Sequence, residues 1–576
     1  MHLPHPSCNA AALLFVVVTA SHGQTVPPAT GAARPGLPPR DAARPPATGT
    51  SRIRGRVAMP ETGAPLRRAE VMLIAPEVGI RRVVTTDTQG RYEFADLPEG
   101  RYTVSASKGG FVTLQFGQRR PFEPGHPVTV ADGQTLEQVD FALPRGSAIA
   151  GRVTDEFGEP ITGVQVQVQR YTYLPGGQRR LTFAGAPGST DDRGEFRVFG
   201  LMPGEYIVST VARSGFNFQQ GTGGANDSFE GYAPTYYPGT PSPAEAQPVV
   251  VGLGQEVTLN MSLMAARMAR ISGTVVDSHG RPATESFVDL ISRGGGAGMY
   301  FMSNGRVSSD GTFTLINVAP GDLMLQVIVN PKVPSDQNEF GTVPVTVTGA
   351  DITGVRITTS PGVTVGGTVV FEGTSPRTGD PTPRIFVQDA RPDAPGIMFF
   401  NPDSTNGSIA EDGSFSIKGV SAREVLFRAA TPPAWALKSV TLNGDDVTDV
   451  PTAIAESAKL GTLKVVLTDR VTDVSGTVAG SRGELLKDYV VIVQPAEPKE
   501  GTAATRYARA AWPDQEGRFR IHALPPGRYL AAAVEALEQG GEWDPEFSRR
   551  VRESGTSFTL AEGQTLTVSL KLANFQ

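Results

Sequence analysis

The sequence predicts an all-β chain: a tandem array of about five antiparallel β-sandwich modules. The first observation is one glycine-centred pattern written five times, on Gly90, Gly194, Gly311, Gly413 and Gly517, spaced by 104, 117, 102 and 104 residues. That spacing is too long for a solenoid repeat and right for a whole domain. Two places on stand Tyr92, Phe196, Phe313, Phe415 and Phe519, and four places on Phe94, Val198, Leu315, Ile417 and Ile521. The second observation is an opening pattern, apolar-x-Gly-x-Val, at Ile53-Gly55-Val57, Ile149-Gly151-Val153, Ile271-Gly273-Val275, Val365-Gly367-Val369 and Val474-Gly476-Val478. Its period of two places all three residues on one face of a strand.

The chain has 576 residues, enough for several domains. A formal charge of −6 and a pI near 5.7 leave no basic footprint, which argues against nucleic acid as a partner. At the start, Ala11 to Ala20 is a ten-residue apolar run followed by small residues up to Gly23. Such a run is short for a bilayer span and typical of a signal-peptide core, so residues 1–23 are expected to direct export. The only cysteine, Cys8, precedes that run and would be removed with it, leaving no disulfide, thiolate metal site or cysteine nucleophile. No later stretch is long and apolar enough to suggest a transmembrane helix in the mature chain.

Residues 24–51 carry seven prolines among Ala, Gly, Thr and Arg and read as a disordered linker that cannot build a core. Modules are then expected at residues 52–146, 147–268, 269–362, 363–470 and 471–576. Each opens on the apolar-x-Gly-x-Val strand. A Gly-x-Pro turn follows in three of them (Gly63-Pro65, Gly158-Pro160, Gly280-Pro282), then alternating strands such as Val164, Val166 and Val168. A Pro-Gly pair (Pro203-Gly204, Pro320-Gly321, Pro526-Gly527) turns the chain before Tyr206, Leu323 or Tyr529 begins a returning strand. Each module closes on another strand, such as Val257 to Leu263, and the next begins almost at once. Short joins predict a semi-rigid, monomeric rod whose modules unfold semi-independently, and no sustained helical periodicity is visible.

These motifs resemble tandem carboxypeptidase regulatory-like domains, a transthyretin-like, Ig-like β-sandwich also grouped with carbohydrate-binding-like folds. The resemblance rests on Ile271-Ser272-Gly273-Thr274-Val275-Val276-Asp277, on Gly280-Arg281-Pro282, and on Asp310-Gly311-Thr312-Phe313-Thr314-Leu315 with Val318-Ala319-Pro320-Gly321. It covers nearly all of residues 52–576 and is weakest in module 4, where Arg423 stands for the turn glycine. It implies a β-sandwich in a secreted or envelope setting and supplies no catalytic residue.

A zinc peptidase would need His-x-x-Glu plus a distant His. After residue 23 only His126, His279 and His522 remain, in three different modules, and none has Glu at the third place. Serine nucleophile elbows and phosphate-binding glycine loops are absent too, so no catalytic residue, metal or cofactor is expected. Asn443-Gly444-Asp445-Asp446, with Asp449 nearby, reads as an Asn-Gly hairpin turn, with calcium as the rival.

The candidate ligand contacts are six rings within 22 residues of polar, glycine-rich chain: Phe216, Phe218, Phe229, Tyr232, Tyr236 and Tyr237. They fit two readings, stacking on sugars or packing on the sandwich, and a comparable segment from Phe116 to Pro127 in module 1 favours packing. Trp435, Trp512 and Trp543 read as packing residues. The function expected is a secreted or periplasmic, non-catalytic envelope protein that binds polysaccharide or another envelope protein. The alternatives are a structural spacer and an accessory protein of a separately encoded hydrolase.

Overall fold

The computed structural model describes residues 49–75, 80–211, 230–292, 304–329, 339–377, 382–390, 406–420, 423–454, 461–497 and 506–573. Residues 1–48, with the expected signal peptide and most of the linker, lie outside these, as do Phe216, Phe218 and Phe229. The described chain forms five two-sheet sandwiches, whose cores run from Ile53 to Leu143, Ile149 to Leu263, Ala269 to Ile357, Val363 to Leu467 and Val474 to Leu570.

Module 3 shows the plan with seven strands: Ala269–Val276, Phe287–Ser292, Asn304–Arg306, Thr312–Val318, Gly321–Val329, Glu339–Val347 and Ile352–Thr358. The opening strand lies between the fourth and the closing strand in a three-stranded sheet, and the order third, second, fifth, sixth makes the facing sheet. The inward residues Ile271, Val275, Val288, Leu290, Phe313, Leu315, Leu325 and Ile357 fill the space between the sheets. Those chosen from the alternating pattern are therefore core residues.

The antiparallel expectation needs one correction. The closing strand runs parallel to the opening strand in every module, as Ile271↔Ile352 to Val276↔Thr358 in module 3 and Gly476↔Val568 in module 5. The sixth strand ends in the opposite sheet, so the chain crosses over and returns in the direction in which it began.

That parallel strand explains the opening glycine. A Cβ on Gly55, Gly151, Gly273, Gly367 or Gly476 would sit 1.9, 1.7, 1.9, 2.2 or 1.8 Å from the carbonyl oxygen of Val139, Leu259, Val355, Leu463 or Val568. Only glycine lets the two backbones approach so closely. On the other side the same glycines pair across the fourth strand with Tyr92, Phe196, Phe313, Phe415 and Phe519. These rings cover the bare backbone, with Tyr92 Cε1 2.9 Å and Phe519 Cε1 2.8 Å from the missing Cβ position. Burying each such ring contributes about 1.5–3 kcal/mol.

The turn glycines have a separate reason. Gly90, Gly194, Gly311, Gly413 and Gly517 hold φ between +72° and +84°, a region costly for other residues. In the first four, the glycine carbonyl accepts from the amide of Val57, Val153, Val275 or Val369, which ties the turn to the opening strand. In modules 1, 2 and 5 the fifth-strand tyrosine reaches back four residues, Tyr102 to the Pro98 carbonyl at 2.6 Å, Tyr206 to Met202 at 2.5 Å and Tyr529 to Pro525 at 2.5 Å.

Two further expectations are corrected. Pro545–Ser554 is an α-helix, begun by Pro545 and capped by the Asp544 side chain, which accepts from the Glu546 amide. Its only fully buried residue is Val551, so an apolar stripe is barely present in the sequence. The array is also not a rod whose modules touch only their sequence neighbours, because module 5 packs on modules 1 and 2 through Arg119 to Asp488, Arg120 to Glu535 and the Arg170–Glu538 pair.

Two outcomes follow. Gly55→Ala should destabilise module 1 by about 1–3 kcal/mol, as overpacking against an immovable backbone does. Gly109→Ala, which meets nothing within 4 Å, should leave it unchanged; hydrogen exchange of residues 51–143 in the full chain separates the two. In module 3, burial pushes the Asp289 carboxyl up to about 6. The folded state thus holds this proton more tightly than the unfolded chain, so its contribution is full below about pH 4 and is lost as pH rises through about 6. Hydrogen exchange in module 3 should therefore speed up across that window, and Asp289→Asn should flatten the dependence.

Candidate functional site

Module 5 carries an insertion between its fifth strand, Gly527–Val534, and its sixth, Thr556–Leu560, that contains the short 3-10 turn Gly541–Trp543 and the helix. One side of the insertion covers module 5 itself: Leu537 joins Val490, Ile492 and Val534, with Trp512 and Phe547 packed alongside. The other side reaches modules 1 and 2. The Gln539 amide donates to the Phe122 carbonyl at 3.0 Å. Gly540 sits so close to Tyr173 that a Cβ would come within 2.4 Å of its carbonyl oxygen. Gln515 of module 5 brackets the Thr129 backbone of module 1, donating to its carbonyl at 3.1 Å and accepting from its amide at 3.4 Å.

Phe122 is the centre of this joint. It belongs to module 1 yet packs on the core of module 2, edge-on to Tyr206 with ring centroids 6.1 Å apart. The Arg170 guanidinium lies 3.7 Å from the centre of its ring and also pairs with Glu538. One side chain from each of three modules is thereby joined in one stack. Beside it Glu123 is buried, and burial pushes its carboxyl up, with Asp488 adding to the effect.

The contacts leave a cleft of about 520 Å³ between the three modules, lined among others by Arg120, Phe122, Arg179, Glu205, Leu537 and Glu538. Its wall in module 2 is a hairpin that outruns its sheet. The second strand pairs with the fifth only over Gln165 to Gln169 but with the third as far as Leu174. Tyr171, on the free part, donates to the Pro243 carbonyl at 3.3 Å and packs on Leu181, Ile207 and Tyr236.

The three described tyrosines of the aromatic segment pack on the sandwich, and of these Tyr236 adjoins the cleft through Tyr171 and Ile207. Tyr236 is buried behind Tyr171, and Tyr232 and Tyr237 are partly buried against the module 2 core. A buried ring has no face free to stack on a sugar, so Tyr236 is corrected from ligand contact to support for the cleft wall. Trp435 is buried, edge-on to Phe371 with centroids 5.0 Å apart, and its Nε1 donates to the Pro376 carbonyl at 2.9 Å. Trp512 and Trp543 are partly buried.

Asn443 and Gly444 form a two-residue hairpin turn at φ 54° and 99°, closed by Leu442↔Asp445. Asp449 is buried between Arg506, at 3.1 Å, and Arg428, at 3.4 Å, with the Tyr507 hydroxyl donating to it at 3.0 Å. A carboxylate so engaged is not offered to a cation, and the group joins module 4 to module 5. His522 belongs to the same joint, with Nε2 at 2.8 Å from the Pro433 carbonyl and Nδ1 at 3.3 Å from Asp473. Among the described residues no group of three or more His, Cys, Asp or Glu is placed to hold a metal, and no helix is long and apolar enough to cross a membrane.

Residues 52–144 match the sequence model of the carboxypeptidase regulatory-like domain family. Module 1 is thus similar to a carboxypeptidase regulatory-like domain. The other four modules repeat its glycine and aromatic pair and its parallel closing strand. No curated protein matches the chain. Among solved structures it is similar to the minor pilin of Streptococcus agalactiae, at 12% identity over 37% of this chain and 95% of that one, with a TM-score of 0.21. It is also similar to two B repeat units of the collagen-binding protein of Staphylococcus aureus, at 11% identity over 73% and 99%, with a TM-score of 0.12.

Phe122→Ala removes the ring beneath Arg170 and against Tyr206. Cation–π and edge contacts of this kind are worth about 1–2 kcal/mol each. Exchange of amides 535–554 should rise about tenfold or more in this variant, while amides of module 3 stay as they are.

Proposed function

We propose that the chain is an exported, non-catalytic envelope protein whose tandem modules present a binding surface at the joint of modules 1, 2 and 5. The observation that carries this reading is the insertion of module 5, which is seated against modules 1 and 2 by Gln539, Gly540 and Glu538. Seating these modules against one another fixes their surfaces before a ligand arrives, which lowers the ordering cost of binding. Export is supported by the apolar run from Ala11 to Ala20 and the small residues after it. A polysaccharide or a second envelope protein is the partner this setting suggests.

The Asp449 network favours a second reading, a spacer with no ligand of its own. Arg428, Asp449 and Arg506 are each largely buried across the joint of modules 4 and 5. A buried charge that loses its partner costs several kcal/mol, so this joint resists bending.

Two measurements test the proposal. Residues 1–48 fused ahead of a reporter active only outside the cytoplasm should give signal, and a silent reporter contradicts export. The purified chain, incubated with a panel of insoluble polysaccharides and envelope fractions, should be depleted by at least one of them. Export without depletion by any member leaves the spacer reading.

A further inference from the structure

Among the described residues, Arg179 differs from the other arginines of the cleft in having no carboxylate to neutralise it. Arg170 is taken up by Glu538 and Arg120 by Glu535. The Arg179 side chain is exposed, lies 4.1 Å from the centre of the Tyr171 ring, and has no carboxylate partner among the described residues. Tyr171 is itself held by its bond to Pro243 and by Leu181, Ile207 and Tyr236 behind it. A guanidinium laid on a fixed aromatic face keeps its edge N–H groups directed outward. That is the geometry which takes a planar carboxylate through two parallel hydrogen bonds.

Two other features narrow the ligand. Glu205 lines the same cleft, is exposed, and has no partner among the described residues. A carboxylate there accepts hydrogen bonds from hydroxyl groups and disfavours a ligand bearing many negative charges at close spacing. Pro203, partly exposed, adds apolar surface, with the buried Ile207 and Leu537 behind the wall. The volume of about 520 Å³ is within the range of small-ligand sites and holds about one or two sugar rings.

We infer that the cleft between modules 1, 2 and 5 binds a uronic-acid-bearing oligosaccharide, with the sugar carboxylate on Arg179, hydroxyls on Glu205 and the ring against Pro203. This rests on the reading of the joint as a binding surface and names its ligand class.

The test is calorimetric titration of the full chain with a short oligogalacturonate, its methyl ester, a sulfated oligosaccharide and an acidic peptide. The oligogalacturonate should bind saturably, at least tenfold more tightly than each of the other three. Arg179→Ala should weaken it at least tenfold with no change in melting temperature, since the side chain is exposed, and Arg179→Lys should recover part of the loss. Absence of saturable binding, equal binding of the methyl ester, tighter binding of the sulfated sugar or the peptide, or an unchanged affinity in Arg179→Ala would each overturn the assignment. The methyl ester comparison needs no variant, so it decides even where a substitution disturbs the fold. Failure here leaves export and polysaccharide depletion to be judged on their own measurements.

Discussion

Each sandwich is organised around one close approach. The closing strand passes the opening strand at a glycine whose Cβ position is already taken by a carbonyl oxygen, within 2.2 Å in all five modules. An aromatic side chain from the fourth strand lies over the same glycine from the other side. Register cannot slip by one residue without placing a side chain where the carbonyl is and turning the buried face outward. The glycine therefore fixes which strands are neighbours, and the aromatic fixes the core beneath them. What is left free is the outer face of the second sheet.

The modules differ on that outer face. In module 5 it is covered by the insertion, with Leu537 on Val490, Ile492 and Val534. In module 2 it carries Leu181, Ile207 and Tyr236 together with the buried polar residues Gln167, Gln169 and Ser209. In module 4 it carries Arg428, which reaches Asp449 and through it Arg506 of module 5. The sandwiches supply the scaffold, and these coverings decide which modules meet. The cleft exists because the covering of module 5 is long enough to reach the overhanging hairpin of module 2 and Phe122 of module 1.

The repeating part of this structure was legible because it is local. Period-two alternation, the opening glycines and the turn glycines each answer to contacts within one module, and the residues chosen from them are core or turn residues. The Asn443-Gly444 hairpin was legible for the same reason. The parallel closing strand was not, since alternation reports which face a strand buries and not the direction of its partner. The helix was hidden by having one fully buried residue, although Asp544-Pro545 is a usable cap signal. For the module 2 tyrosines composition was not enough, because it cannot distinguish a ring under a wall, as Tyr236 is, from a ring on it. The pairing of Arg120 with Glu535 and of Arg170 with Glu538 spans more than 360 positions, and no single-sequence pattern records it.

The docking of module 5 on modules 1 and 2 turns a string of equivalent sandwiches into a molecule with a distinct joint, and the account of function depends on it. It is tested most directly by cross-linking in dilute solution, with Thr129 and Gln515 changed to cysteine in a chain whose Cys8 is replaced by serine. A short bismaleimide should join the two positions within the monomer in high yield, and Phe122→Ala should lower that yield. If no intramolecular product forms while a control pair across the joint of modules 4 and 5 cross-links readily, module 5 does not sit on modules 1 and 2 and the account is contradicted.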